Sequence, residues 1–187
     1  MGTRSITWIL EEHGKTPLCK LYRQMDGYPE EPGHGRDLYD IIMPRQIVYG
    51  IRLGETTYEN AANGMDCLAT TIIRELKKDI GGVYLCPVQP RVSLVKQAND
   101  ADAEYAYTVW LSFEFPTLAP HGMPCIRVDE VRSRYLKPLY SGTAAGMAKR
   151  FDYDLTPKQV PVQPVQGAGA SLATSRVLRL PAVQHVV

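Results

Sequence analysis

Residues 65–76 constrain the fold more than any other stretch of the chain. Met65, Leu68, Ala69, Ile72, Ile73 and Leu76 recur at the spacing of one helical face, so a helix here carries an apolar stripe that must be buried. The chain on either side has a different period. Ile6, Trp8 and Leu10 alternate with Ser5, Thr7 and Ile9, as one face of a strand requires. A helix stripe between strand-period segments predicts an α+β fold: an antiparallel sheet with helices laid on one face.

The first strand is expected over 5–11 and the second over 18–25, joined through His13-Gly14-Lys15 as an N-terminal β-hairpin. Asp26-Gly27-Tyr28-Pro29 breaks the second strand, and a loop runs on to Gly35. A short helix follows over 36–42, with Leu38, Ile41 and Ile42 inward and Pro44 as its stop. The main helix has Asn60 or Asn63 as candidate caps, Lys77 and Lys78 at its negative end, and Gly81-Gly82 beyond it. Further strands are expected over 83–86, 105–113 and 125–131, completing a sheet of about five strands. There is no internal repeat and no Rossmann or P-loop glycine pattern.

Composition changes near residue 141. The remainder is rich in Ala, Val, Gln, Pro and Gly; Val160, Val162 and Val165 are interleaved with Pro161 and Pro164, and GAGAS follows at 167–171. This spacing favours extended chain and cannot supply a full strand ladder. The expected organisation is an α+β domain over 1–140 and an extended arm over 141–187. Within the arm, LATSRVLRLPAVQHVV mixes apolar and basic residues and could add as a strand to another sheet edge.

Charge excludes several classes of function. With 21 Lys+Arg against 20 Asp+Glu, the 187-residue chain carries +1, which argues against a strongly basic nucleic-acid binder. VRSRYLKPLY, with Arg132, Arg134 and Lys137, is only a modest basic stretch. No apolar run is long enough to span a bilayer and no signal segment opens the chain, so the expected compartment is a reducing cytoplasm. Cys19, Cys67, Cys86 and Cys125 stand too far apart for a CxxC pair and read as small buried hydrophobes. His13, His34, His121 and His185 show no metal-ligand spacing. Neither a metal nor another cofactor is expected.

The candidate site is the DGYPEEPGHG loop. Three glycines leading into a helix can leave backbone N–H groups open to an anion. Arg23 precedes the loop, His34 and Arg36 end it, and Arg4 stands near the chain start. Asp26 and His34 are the candidates for proton transfer, with the arginines holding charge. The same residues also make an ordinary turn, Asp26 bonding its own backbone and Tyr28 packing on Pro29. Glu30-Glu31 reads as solvated.

Several separated motifs carry a resemblance. Met1-Gly2-Thr3-Arg4 is followed by Tyr22-Arg23-Gln24-Met25-Asp26-Gly27-Tyr28-Pro29, then by Asn63-Gly64-Met65 with Cys67-Leu68-Ala69, then by Gly81-Gly82-Val83-Tyr84-Leu85. The chain resembles a family of small proteins of bacteriophages, bacteria and fungi that begin MGTR and carry Y-x-Q-x-DGYP. The resemblance covers about residues 1–115; the Glu30-Glu31-Pro32 step departs from it, and the arm has no counterpart. It brings no established activity. It implies a phage-type source, and that Arg4, Gln24, Asp26, Gly27, Tyr28 and Pro29 form a defined feature rather than a chance turn.

The leading expectation is therefore a phage-type accessory protein that binds a host factor or a small anionic ligand. The ligand-binding set is Arg4, Arg23, Gln24, Asp26, Gly27, Tyr28, His34 and Arg36. Two alternatives stand beside it. One is an enzyme acting on a phosphate-bearing or nucleotide-like substrate through Asp26 and His34. The other is an assembly component, in the virion, whose arm clamps a neighbouring subunit into a homo-oligomer.

Overall fold

The computed structural model describes residues 2–14, 16–50, 60–114 and 119–155. It is an α+β structure built on a six-stranded, mostly antiparallel sheet. In chain order the elements are β1 Ser5–Leu10, β2 Pro17–Arg23, α1 His34–Ile42, β3 Gln46–Val48, β4 Ala61–Asn63, α2 Gly64–Leu76, β5 Val83–Cys86, α3 Leu94–Asp100, β6 Tyr105–Ser112, β7 Met123–Val131, β8 Leu136–Thr143 and α4 Ala144–Arg150. The strand order is β5-β2-β1-β6-β7-β8; β3 and β4 form a separate parallel pair.

The N-terminal hairpin forms as expected. Gly14, at φ +67°, turns the chain, and Glu11 N–H donates to Thr16 O at 2.8 Å. One pairing departs from the all-antiparallel expectation: β1 runs parallel to β6. Central placement explains why Ser5, Ile6, Thr7, Trp8 and Ile9 are all buried, since a strand paired on both edges and covered on both faces meets no water.

The faces are covered unequally. Ile9, Leu21, Tyr107, Val109, Ile126 and Val128 pack with the apolar sides of α1, α2 and α4. On the opposite face Ile6, Trp8 and Ala106 pack with Ala98 of α3. Each large side chain fully buried in this way contributes about 1.5–3 kcal/mol. The expectation of two helices on one face thus becomes three, with a fourth behind. α3 is only seven residues long, too short to show a clear stripe. Its marks are Ser93, whose hydroxyl accepts from Lys96 N–H, and Leu94 with Ala98 one turn apart.

The boundary at 140 also moves. Residues 141–155 belong to the compact unit that begins at the N-terminus, completing β8 and forming α4. Pro138 and Gly142 obscure the strand in sequence, but β8 is the outermost strand, where a missing N–H is tolerated. Thr143 caps α4 by accepting from Gly146 N–H at 3.2 Å, and Ala144, Met147 and Ala148 bury one face. Residues 156–187, with the GAGAS spacer and the basic–apolar segment, lie outside the described residues. The expected caps of α2 also behave differently. Asn63 occupies the cap position without a side-chain bond to the helix, its Oδ1 accepting from Gly50 N–H instead. Lys77 Nζ donates to Gly81 O and Val83 O. Among the described residues no helix is long and apolar enough to cross a membrane.

Candidate functional site

Strand parity places Thr7 of β1 and Arg23 of β2 on the same face as α1. His34 opens that helix and is buried. Thr7 Oγ1 and His34 Nε2 are 2.8 Å apart, and Arg23 Nη1 lies 3.2 Å from His34 Nδ1. A guanidinium only donates, so Nδ1 accepts and the ring proton sits on Nε2, donated to Thr7. The imidazole also stands edge-on to Tyr107, with ring centroids 4.9 Å apart. Burial, with the Arg23 charge second, pushes the His34 pKa down to about 3. The ring is neutral near pH 7 and both nitrogens are engaged.

Arg23 is equally committed. Nε donates to Met25 O at 2.7 Å, and Nη1 pairs with Asp37. Arg36 turns the other way. It bonds Asp40 and Glu31, each at 2.9 Å, and Asp154 O at 2.7 Å. Its guanidinium lies 5.6 Å from the ring centroids of both Tyr39 and Tyr153. Arg4 pairs with Asp102 at 2.7 Å. Of the four expected cation and histidine positions, only Arg23 and His34 meet.

The loop between them is closed on itself. Gly27 N–H donates to Thr3 O, His34 N–H to Asp26 O, Gly33 N–H to Glu30 O, and Gly35 N–H to Tyr28 O. Tyr107 Oη donates to Gly27 O at 2.9 Å, and Tyr153 Oη to Pro29 O at 2.6 Å. The glycines serve close packing. A Cβ on Gly27 would sit 2.7 Å from the backbone of Arg4 and Ser5; one on Gly35 would sit 2.4 Å from Pro29 O. These N–H groups are therefore spent on carbonyls of the loop itself and of β1's approach, not left open for a phosphate. Burial raises the Tyr107 and Tyr153 hydroxyl pKa values.

What remains open lies on the outer side of Arg23. Asp26, exposed and at φ +54°, lines a cleft of about 540 Å³ between the α1 face and the 75–83 segment. Its cations are Arg23, Arg45 and Lys78, and its carboxylates are Asp26, Asp37, Asp40, Glu75 and Asp79. Gln24 is exposed, its N–H bonded to Gly82 O at 2.9 Å; Tyr28 is half-buried over Gly33. As members of the site, sequence reasoning misses Thr7 and Tyr107 behind the loop, and Asp37 and the 75–79 charges in front of it. Only Asp37 carried a local signal, an acid in the first helical turn. A second, mainly apolar cleft of about 530 Å³ lies between the end of α1, β3, the 119–124 loop and the start of α4. Among the described residues no three His, Cys, Asp or Glu side chains are grouped to hold a metal ion. Comparison of the chain with protein families, curated proteins and solved structures finds no match.

Proposed function

We propose that this chain is a non-catalytic, phage-type accessory protein that binds its ligand or host factor in the cleft beside the DGYP loop. The observation that carries this reading is the contrast across Arg23. Behind it, Thr7, His34 and Tyr107 are buried, with both imidazole nitrogens and the Tyr107 hydroxyl bonded within the protein, a packed backing in which the histidine offers no free nitrogen. In front of it lies an open, charged cleft. A rigid wall lowers the ordering cost of binding. The phage-type part rests on the MGTR, DGYP, NGM-x-CLA and GG-x-YL resemblance.

The enzyme alternative draws no support from this geometry, because acid–base work needs its groups within reach of one reacting atom. His34 faces inward with both nitrogens engaged, while the Asp26 carboxylate stands at the surface. A small anion also fits less well than expected, since the loop N–H groups are occupied and carboxylates outnumber cations in the cleft.

The test is thermal denaturation of the wild type and of Asp26→Ala with candidate ligands and host proteins. A ligand at 100 times its Kd adds about 2.7 kcal/mol. Stabilisation of the wild type that Asp26→Ala loses supports the reading; equal stabilisation of both proteins places binding elsewhere and overturns it. Turnover of a nucleotide or phosphate ester abolished by Asp26→Ala would restore the enzyme.

A further inference from the structure

The chemistry of the cleft's occupant can be read from what lines and borders it, granted that the cleft is the binding site. Internal pairing accounts for part of its charge. Arg23 is held by Asp37, Asp40 by Arg36, and Glu75 by Arg74. Among the described residues, Asp26 and Asp79 hold no ion pair. Lys78 holds none either, Arg45 donates from Nη1 to Asn60 Oδ1, and the lining as a whole carries five carboxylates against three cations.

The border is apolar. Ile80 is fully exposed and Met25 more than half exposed, and both line the cleft. Val83 lines it as well, and Leu85, two residues along β5 on the same side of the strand, is also exposed. Large aliphatic side chains standing in water beside unpaired carboxylates suit an occupant with apolar groups next to a positive charge. A free metal ion or polyamine would use the carboxylates and leave Ile80, Met25 and Leu85 uncovered. A phosphate would meet Asp26 and Asp79 with like charge.

We infer that the cleft receives a protein segment in which Lys or Arg is flanked by aliphatic residues, the cation between Asp26 and Asp79 and the aliphatic groups on Ile80, Met25 and Leu85. Charge complementarity selects the sign and steers the encounter, and the apolar border supplies the area removed from water. The inference deepens the proposed binding function and depends on it.

The experiment uses three fluorescent nine-residue peptides, alternating Leu with Arg, Leu with Gln and Leu with Glu, titrated against the full chain by anisotropy. Backbone amide NMR of the same samples locates each contact. The Leu/Arg peptide is expected to bind at least tenfold more tightly than the other two and to weaken with salt. Its shifts should centre on residues 23–26 and 78–85. Asp26→Asn with Asp79→Asn should cost tenfold or more, Ile80→Ser severalfold, and Lys78→Gln should strengthen binding. These side chains are at the surface, and each variant's melting temperature is checked against the wild type. Equal binding of all three peptides, or no loss in the double Asn variant, overturns the partner class. So does inorganic phosphate or the Leu/Glu peptide shifting the cleft amides, which would leave the cleft as the site. If neither these probes nor the wider ligand and host-protein panel shifts the cleft amides, both readings fall.

Discussion

The two sides of Arg23 are only a side chain apart and differ in almost every respect. Inward, His34, Thr7 and Tyr107 are buried, and the ring nitrogens, the Tyr107 hydroxyl and the loop N–H groups have partners in the protein. Outward, Asp26 and Asp79 face a cleft bordered by exposed Ile80 and Met25. Buried polar groups must be matched internally or they cost stability. Exposed ones are matched by water and remain available to a partner. The comparison teaches that a motif dense in Asp, Arg, His and Gly can spend most of its chemistry on its own scaffold, leaving only its outer edge open to solvent.

The largest expected effect is on the inward side. His34→Ala removes a packed ring and leaves Thr7 and Arg23 short of partners, so it should cost about 3–4 kcal/mol in urea denaturation. His34 also makes stability depend on pH. Its folded pKa lies near 3 against 6.5 unperturbed, so the unfolded chain binds more protons between those values. The contribution is complete above about pH 6.5 and is lost as pH falls towards about 3, at up to about 1.4 kcal/mol per unit. Stability curves from pH 7 to 4 for the wild type and His34→Gln check this; a variant with an unchanged slope would break the assignment of a neutral, buried ring.

Next comes the loop. Gly27→Ala forces a methyl group against the β1 backbone and should cost about 1–3 kcal/mol. Tyr107→Phe and Tyr153→Phe each remove a donor from a loop carbonyl and should cost about 1–2 kcal/mol each. Hydrogen exchange should then quicken at Gly33, His34 and Gly35. The smallest effect belongs outside: Asp26→Asn and Asp79→Asn should each change stability by less than about 0.5 kcal/mol while binding changes strongly. A large stability loss there would erase the difference between the two sides.

Much of the fold was legible because its signals are local. Alternation in 5–10 and 105–112 and the stripe in 65–76 follow from the periods of strand and helix. α3 and β8 were harder to see, one too short for a clear stripe and the other carrying Pro138. In α4, Thr143 as cap and Ala144, Met147 and Ala148 on one face were a signal that the surrounding Ala- and Gly-rich composition masked. Of the site, the loop itself was legible, since turn chemistry is short-range. The destinations of its long side chains were not.

By itself the sequence determined an α+β class, the hairpin, the two longer helices and the place of the DGYP turn, because each depends on residues within one or two turns of chain. Only the tertiary structure decided that β1 pairs parallel with β6 and that residues 141–155 join the domain. Only it sent Arg4 to Asp102 and Arg36 to Glu31 and Asp154. It alone brought the 75–79 charges across from Asp26. Those outcomes depend on which surfaces meet in space, and neither strand period nor composition encodes a partner far away in the chain.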